Sequence, residues 1–137
     1  RPDGRPEAEG ADVSASHGAG VTLALAGSGR LACDVEAVRE RSDEDWAGLL
    51  GGGLLSVRDL VADQAGESAH LAAARLWGAL ECLRKAGGTG RSLTLEEVGE
   101  HGWVVLSSGD ARIATWSTTL NGNPDPVVFA VLSGEER

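Results

Sequence analysis

The chain is 137 residues long, carries a formal net charge of −9 and is 42% hydrophobic, with Lys85 its one lysine and neither Tyr nor Met. That length fits one domain with a core able to bury about two thirds of its unfolded surface. The acidic balance forfeits the counterion release that drives nonspecific nucleic-acid binding, and no apolar run approaches the ~18 residues of a membrane span, so neither partner is expected.

Residues 1–12 (RPDGRPEAEGAD) are Pro, Gly and charge, which predicts a linker or disordered terminus ahead of a domain over 13–137. Arg1 in place of Met reads as the start of a piece of a longer polypeptide, and the absence of a leader or lipidation motif predicts a cytoplasmic location. Ser16 and His17 precede the first predicted strand, followed by a flexible Gly18-Ala19-Gly20. Residues 21–26 (VTLALA) and 31–36 (LACDVE) are short β-prone runs, and Gly27-Ser28-Gly29 between them predicts a hairpin.

Acid is concentrated over 36–45 and at Glu135-Glu136, the pattern of a solvated surface. Within the first of these, Ser42 is a candidate N-cap for a helix opening on Asp43, Glu44 and Asp45, and Gly51-Gly52-Gly53 ends it. Apolar residues at 54, 57, 60 and 61 predict a second helix over 54–65. The strongest helix is predicted over 67–86, rich in Ala and Leu and stopped by Gly87-Gly88. Leu76, Leu80 and Leu83 form its apolar stripe, with Ala73 and Trp77 beside it. Strands follow over 103–106, 111–119 and 127–132, the middle one alternating so as to bury one face. Hairpin, helices, long helix and antiparallel strands in that order predict an α+β domain whose antiparallel sheet carries the long helix on one face.

The chemistry-bearing residues are few. Asp34 and Glu36 lie two apart on a strand, so both carboxylates project to one side while Val35 faces the other. Like charges this close repel, and a hard divalent cation relieves the repulsion. Glu81 sits within the long helix with Lys85 one turn later, placed for an i,i+4 pair. Ser16, His17 and the Gly-rich turn after them can bind a phosphate. Each pattern alone is equally at home on a polar surface. The two cysteines, Cys33 and Cys82, lack CxxC spacing and a histidine in ligand register, so they read as buried thiols and not as a zinc site.

The ordered set resembles the 4′-phosphopantetheinyl transferases of the larger, surfactin-synthetase-activating type. Ala32-Cys33-Asp34-Val35-Glu36 stands where that family has Gly-Ile/Val-Asp-x-Glu. Trp77-Gly78-Ala79-Leu80-Glu81-Cys82-Leu83-Arg84-Lys85 stands where it has Trp/Phe-Ser-x-Lys-Glu-Ala-x-x-Lys. The resemblance runs over 13–132 and implies the family fold, mainly its C-terminal half. It implies Mg²⁺ held by Asp34, Glu36 and Glu81, and coenzyme A as co-substrate contacted by Lys85 and, at its 3′-phosphate, by Ser16 and His17. Glu81 and Lys85 would be catalytic, and Trp77 structural. The partner would be a serine-bearing acyl carrier protein domain, activated from apo to holo form. Within the family the sequence looks most like the C-terminal transferase domain of iterative enediyne polyketide synthases, on Leu71-Ala72-Ala73-Ala74-Arg75-Leu76-Trp77-Gly78-Ala79-Leu80-Glu81. Two departures stand out. Leu80 replaces the family lysine, and only the tail of a homologous N-terminal half is present. The second implies completion either by an upstream part of a multidomain chain or by assembly as a homotrimer. A non-catalytic carrier-docking or structural module derived from such a transferase is the alternative.

Overall fold

The computed structural model describes residues 12–88, 92–122 and 124–134; the readings made for residues 1–11 and for Glu135-Glu136 lie outside them. Strands β1 (Asp12–Gly18), β2 (Val21–Gly27) and β3 (Arg30–Ala37) come first. Helices α1 (Asp43–Leu50), α2 (Leu55–Ala65) and α3 (Ala69–Lys85) follow, with a single 3-10 turn, Gly52–Leu54, leading into α2. Strands β4 (Thr94–Val98), β5 (Trp103–Ser108), β6 (Ala111–Thr119) and β7 (Pro126–Gly134) come last among the described residues. The domain is α+β, with a five-stranded antiparallel sheet in the order β3-β7-β6-β5-β4 and a separate two-stranded sheet β1-β2.

The helices form where their caps and apolar spacing place them. Ser42 Oγ accepts the Asp45 N–H at 3.1 Å and Ser68 Oγ accepts the Leu71 N–H at 3.1 Å, each satisfying one orphan donor of a first turn. Left-handed Gly66 closes α2. α3 lies across β3, β7 and β6, as expected of the long helix. Its Leu76, Leu80 and Leu83 stripe is buried against Leu106, Ile113 and Leu132. Leu80, where the resembled family has lysine, is thus a core side chain.

Buried Arg75 ties α3 to the sheet. Its guanidinium makes a two-pronged contact with Glu67 at 2.8 and 2.9 Å and donates to the Thr115 carbonyl and hydroxyl, both at 3.0 Å. On the opposite face of the sheet Trp103, Trp116 and Phe129 stack in neighbouring strands, with ring centroids 6.0 and 5.7 Å apart. Cys33 and Cys82 are free and buried, and burial pushes the Cys82 thiol pKa up, away from reactivity.

The N-terminal strands depart from expectation. Ser16 and His17 are in a strand, not in a loop, and β2 pairs with β1 instead of forming a hairpin with β3. The turn Gly18-Ala19-Gly20-Val21 has positive φ at Ala19 (51°) and Gly20 (76°), the mirror-image geometry that matches the twist of a tight hairpin. β3 takes its full ladder from β7. Its outer edge meets β1 through side chains: Cys33 N–H donates to Ser14 Oγ at 3.1 Å and Val35 N–H to Ser16 Oγ at 3.2 Å. Gly18 allows this approach, since a Cβ there would fall 2.5 Å from the Val35 carbonyl oxygen. β4 was not anticipated. It is a mostly exposed edge strand with a bulge between Leu95 and Glu97, so it lacks the alternation that marks a buried strand.

Candidate functional site

A cleft of about 340 Å³ opens at the end of β3, between the β1–β2 turn, the segment running into α1, and α3. Asp34 and Glu36 form one wall. Trp46, Leu49, Ala74 and Trp77 form an apolar wall, and His17, Arg39 and Arg41 stand at the rim.

The acids sit on the helix-facing side of β3, and Gly78 of α3 leaves room for them. A Cβ at Gly78 would lie 3.6 Å from Asp34 Oδ2 and 3.3 Å from the Ala130 Cβ. Asp34 is 5% exposed. Its Oδ1 accepts from Ser16 Oγ at 3.3 Å and lies 3.5 Å from Lys85 Nζ. Its Oδ2 is buried with no hydrogen-bond partner. Burial raises the pKa of Asp34, against the lowering effects of Glu36 and Lys85. Burial first, and then the neighbouring Asp34, push Glu36 up to about 8. The contact between the two side chains lowers the pKa of Asp34 and raises that of Glu36, so the pair is favoured with a proton on Glu36. A divalent cation would satisfy Asp34 Oδ2 and remove the repulsion. Magnesium is commonly held by one or two carboxylates together with water and substrate phosphate, so Asp34 and Glu36 fit it.

The remaining predicted site residues are placed as follows. Glu81 acts on both acids electrostatically, its charge helping to raise their pKa values. Its carboxylate, however, is paired with Arg84 at 2.7 Å instead of with Lys85. Among the described residues no group of three or more His, Cys, Asp or Glu side chains is arranged to hold a metal ion, so Glu81 is not drawn into a three-acid cluster with Asp34 and Glu36. Lys85 Nζ donates to the Cys33 carbonyl at 2.8 Å, pinning α3 to β3 beneath the acids. Ser16 is buried and engaged with Val35 and Asp34. His17 is exposed at the cleft rim, its Nδ1 2.8 Å from Thr22 Oγ1. Trp77 packs on the core, as expected, and its other side faces the cleft.

Arg39, Arg41 and Trp46 were not anticipated. The sequence offered one signal, the alternation Arg39-Glu40-Arg41 directly after the acidic strand. The Arg41 guanidinium lies 5.5 Å from the centre of the Trp46 ring, in cation–π range. The Arg41 N–H and Trp46 Nε1–H both donate to His70 Nδ1, each at 3.3 Å, which requires that nitrogen to be unprotonated.

No family model, curated protein or solved structure matches the chain. No helix among the described residues is long and apolar enough to cross a membrane.

Proposed function

We propose that the cleft binds a divalent cation together with a phosphate ester, and that the chain is a 4′-phosphopantetheinyl transferase domain acting on a carrier-protein serine. The observation that carries this reading is the buried, partnerless Asp34 Oδ2 beside a Glu36 whose pKa is raised to about 8, on two residues that line a cleft. A polar atom in that state is costly unless something binds it. The sequence resemblance over the Asp34-Val35-Glu36 and Trp77–Lys85 motifs supports the choice of reaction.

In this reading Asp34 and Glu36 would hold Mg²⁺, which would supply charge neutralisation at the phosphates of coenzyme A. Ser16 fixes the orientation of the Asp34 carboxylate through Oδ1 and leaves Oδ2 for the ligand. Lys85 clamps β3 to α3 and keeps a positive charge 3.5 Å from Asp34. Glu81, one turn before Lys85 on α3, would accept the proton of the incoming serine after exchanging its pairing with Arg84, whose side chain is 67% exposed. The serine oxygen forms the new bond to the β-phosphorus, and the bond to 3′,5′-ADP breaks.

The test is incubation of an apo carrier protein with the domain, coenzyme A and Mg²⁺, read by intact mass. The expected result is the mass gain of one phosphopantetheine group, lost in Asp34→Asn and Glu81→Ala. One observation favours the second reading, a non-catalytic carrier-docking module: Glu81 and Lys85 are both engaged within the chain. Calorimetry separates the two, because a docking module binds no coenzyme A with or without Mg²⁺.

A further inference from the structure

The described cations of this acidic chain are almost all neutralised. Arg30, Arg58, Arg75, Arg84, Arg112 and Lys85 each pair with a carboxylate. Among the described residues Arg39 and Arg41 are the two cationic side chains outside any such pair, and both line the cleft. Surface arginines in a chain of net charge −9 have carboxylates in plenty to choose from. Two left unpaired at the rim of the cleft that the acid pair lines are available to an anion.

The segment that carries them is held at both ends. Val38 N–H donates to the Pro126 carbonyl at 2.9 Å, Arg41 N–H to His70, and Ser42 caps α1. Arg39 and Arg41 both line the cleft, while Glu40 between them does not. Trp46, 3% exposed and fixed by the same His70 nitrogen, supports the Arg41 guanidinium from beneath. The Arg41 guanidinium is therefore pre-oriented, which lowers the ordering cost of binding a phosphate.

We infer that Arg39 and Arg41 form the phosphate-binding arm of this cleft, and that its ligand is a phosphate ester bearing an organic group that lies along the apolar Trp46–Trp77 wall. This rests on the reading that the cleft takes a phosphorylated co-substrate. It goes further by assigning the anion contact to Arg39 and Arg41 instead of Ser16, whose hydroxyl is committed to Val35 and Asp34. The cleft carries both charges: its carboxylates take the cation, its guanidiniums take the anion, and a cation–phosphate pair satisfies both.

The experiment measures the binding of 3′,5′-ADP in EDTA, and of coenzyme A with Mg²⁺, by calorimetry. The proteins are wild type, the double variant Arg39→Gln/Arg41→Gln, Arg41→Lys, and Arg112→Gln as a control for lost positive charge far from the cleft. Both arginines are exposed and outside any ion pair, so the double variant should fold, losing only the Arg41 contact with Trp46. It should bind 3′,5′-ADP at least about tenfold more weakly, the loss expected on removing charge-assisted contacts to phosphate. Arg41→Lys should recover part of the affinity, and Arg112→Gln should match wild type. Equal affinity of wild type and double variant for both ligands overturns the inference while leaving the proposed function standing. Failure of wild type to bind either ligand overturns both. Unchanged nucleotide affinity with a raised KM for the carrier would make the arginines a docking patch for an acidic protein, and would also overturn the inference.

Discussion

Replacing Glu36 with Gln removes the ionisation but keeps a group able to donate to the Asp34 carboxylate. In the wild-type fold the carboxyl titrates at about 8 against an ordinary value of 4.5, because burial and Asp34 disfavour its charge. The folded state therefore binds this proton more tightly than the unfolded chain does. The contribution to stability is complete below about pH 4.5, falls as pH rises, and is lost above about pH 8. Unscreened, that displacement would correspond to about 5 kcal/mol, but Glu36 is only half-buried, and screening by solvent reduces it to on the order of 1–2 kcal/mol. For a domain of this size that is a fall in Tm of about 3–8 °C between pH 5 and pH 9. The assay is thermal unfolding by circular dichroism across that range. Wild type should lose stability as pH rises, and the Gln variant should lose less, so that the curves meet near pH 5 and separate by pH 9. Parallel curves would refute the argument that the acid pair is held in a proton-requiring state.

Other outcomes follow from the same contacts. Arg75→Ala should cost about 3–5 kcal/mol in urea unfolding, because it strands Glu67 and the Thr115 carbonyl in the interior; a loss below about 1 kcal/mol would contradict the pairing. Ser16→Ala should cost about 1–3 kcal/mol and speed hydrogen exchange at the Val35 amide, measured by NMR, since that N–H loses its acceptor. Gly18→Ala should destabilise by about 1–3 kcal/mol, because the new methyl would collide with the Val35 carbonyl and push the hairpin off β3. Saturating Mg²⁺ should raise the Tm of wild type more at about pH 9 than at about pH 5, where protonated Glu36 competes with the ion; equal shifts would place the ion elsewhere.

What the sequence disclosed depended on how far each segment's packing is written in its own residues. α3 combines a Ser68 cap, good helix formers and an apolar stripe, so local preference and burial agree. β6 is bounded correctly because its alternation matches one buried and one open face. β1 was illegible for the opposite reason. DVSASHG has little β-branched or aromatic character, and its serines serve the neighbouring strand through their hydroxyls, a use that hydrophobic pattern does not register. Gly27-Ser28-Gly29 looked like a hairpin turn, yet pairing is decided by long-range competition, and β7 offers β3 a continuous eight-residue ladder. In the site, the Asp34–Glu36 pair and its shared direction were readable from strand periodicity. The pairing of Glu81 with Arg84 was not, since helix spacing allows both i+3 and i+4 partners. The cationic rim was hidden inside a run that read as solvated acid.

The serine links between β1 and β3 also bear on how the domain avoids sticking to its neighbours. A strand with open main-chain groups along one side is a template for foreign chains to join, the usual beginning of aggregation. Here two hydroxyl oxygens blunt that side at Cys33 and Val35, and the N-terminal hairpin stands over it like a fender. Trimming that hairpin in a shortened form would strip the guard and leave the strand bearing the acid pair as the surface most prone to self-association.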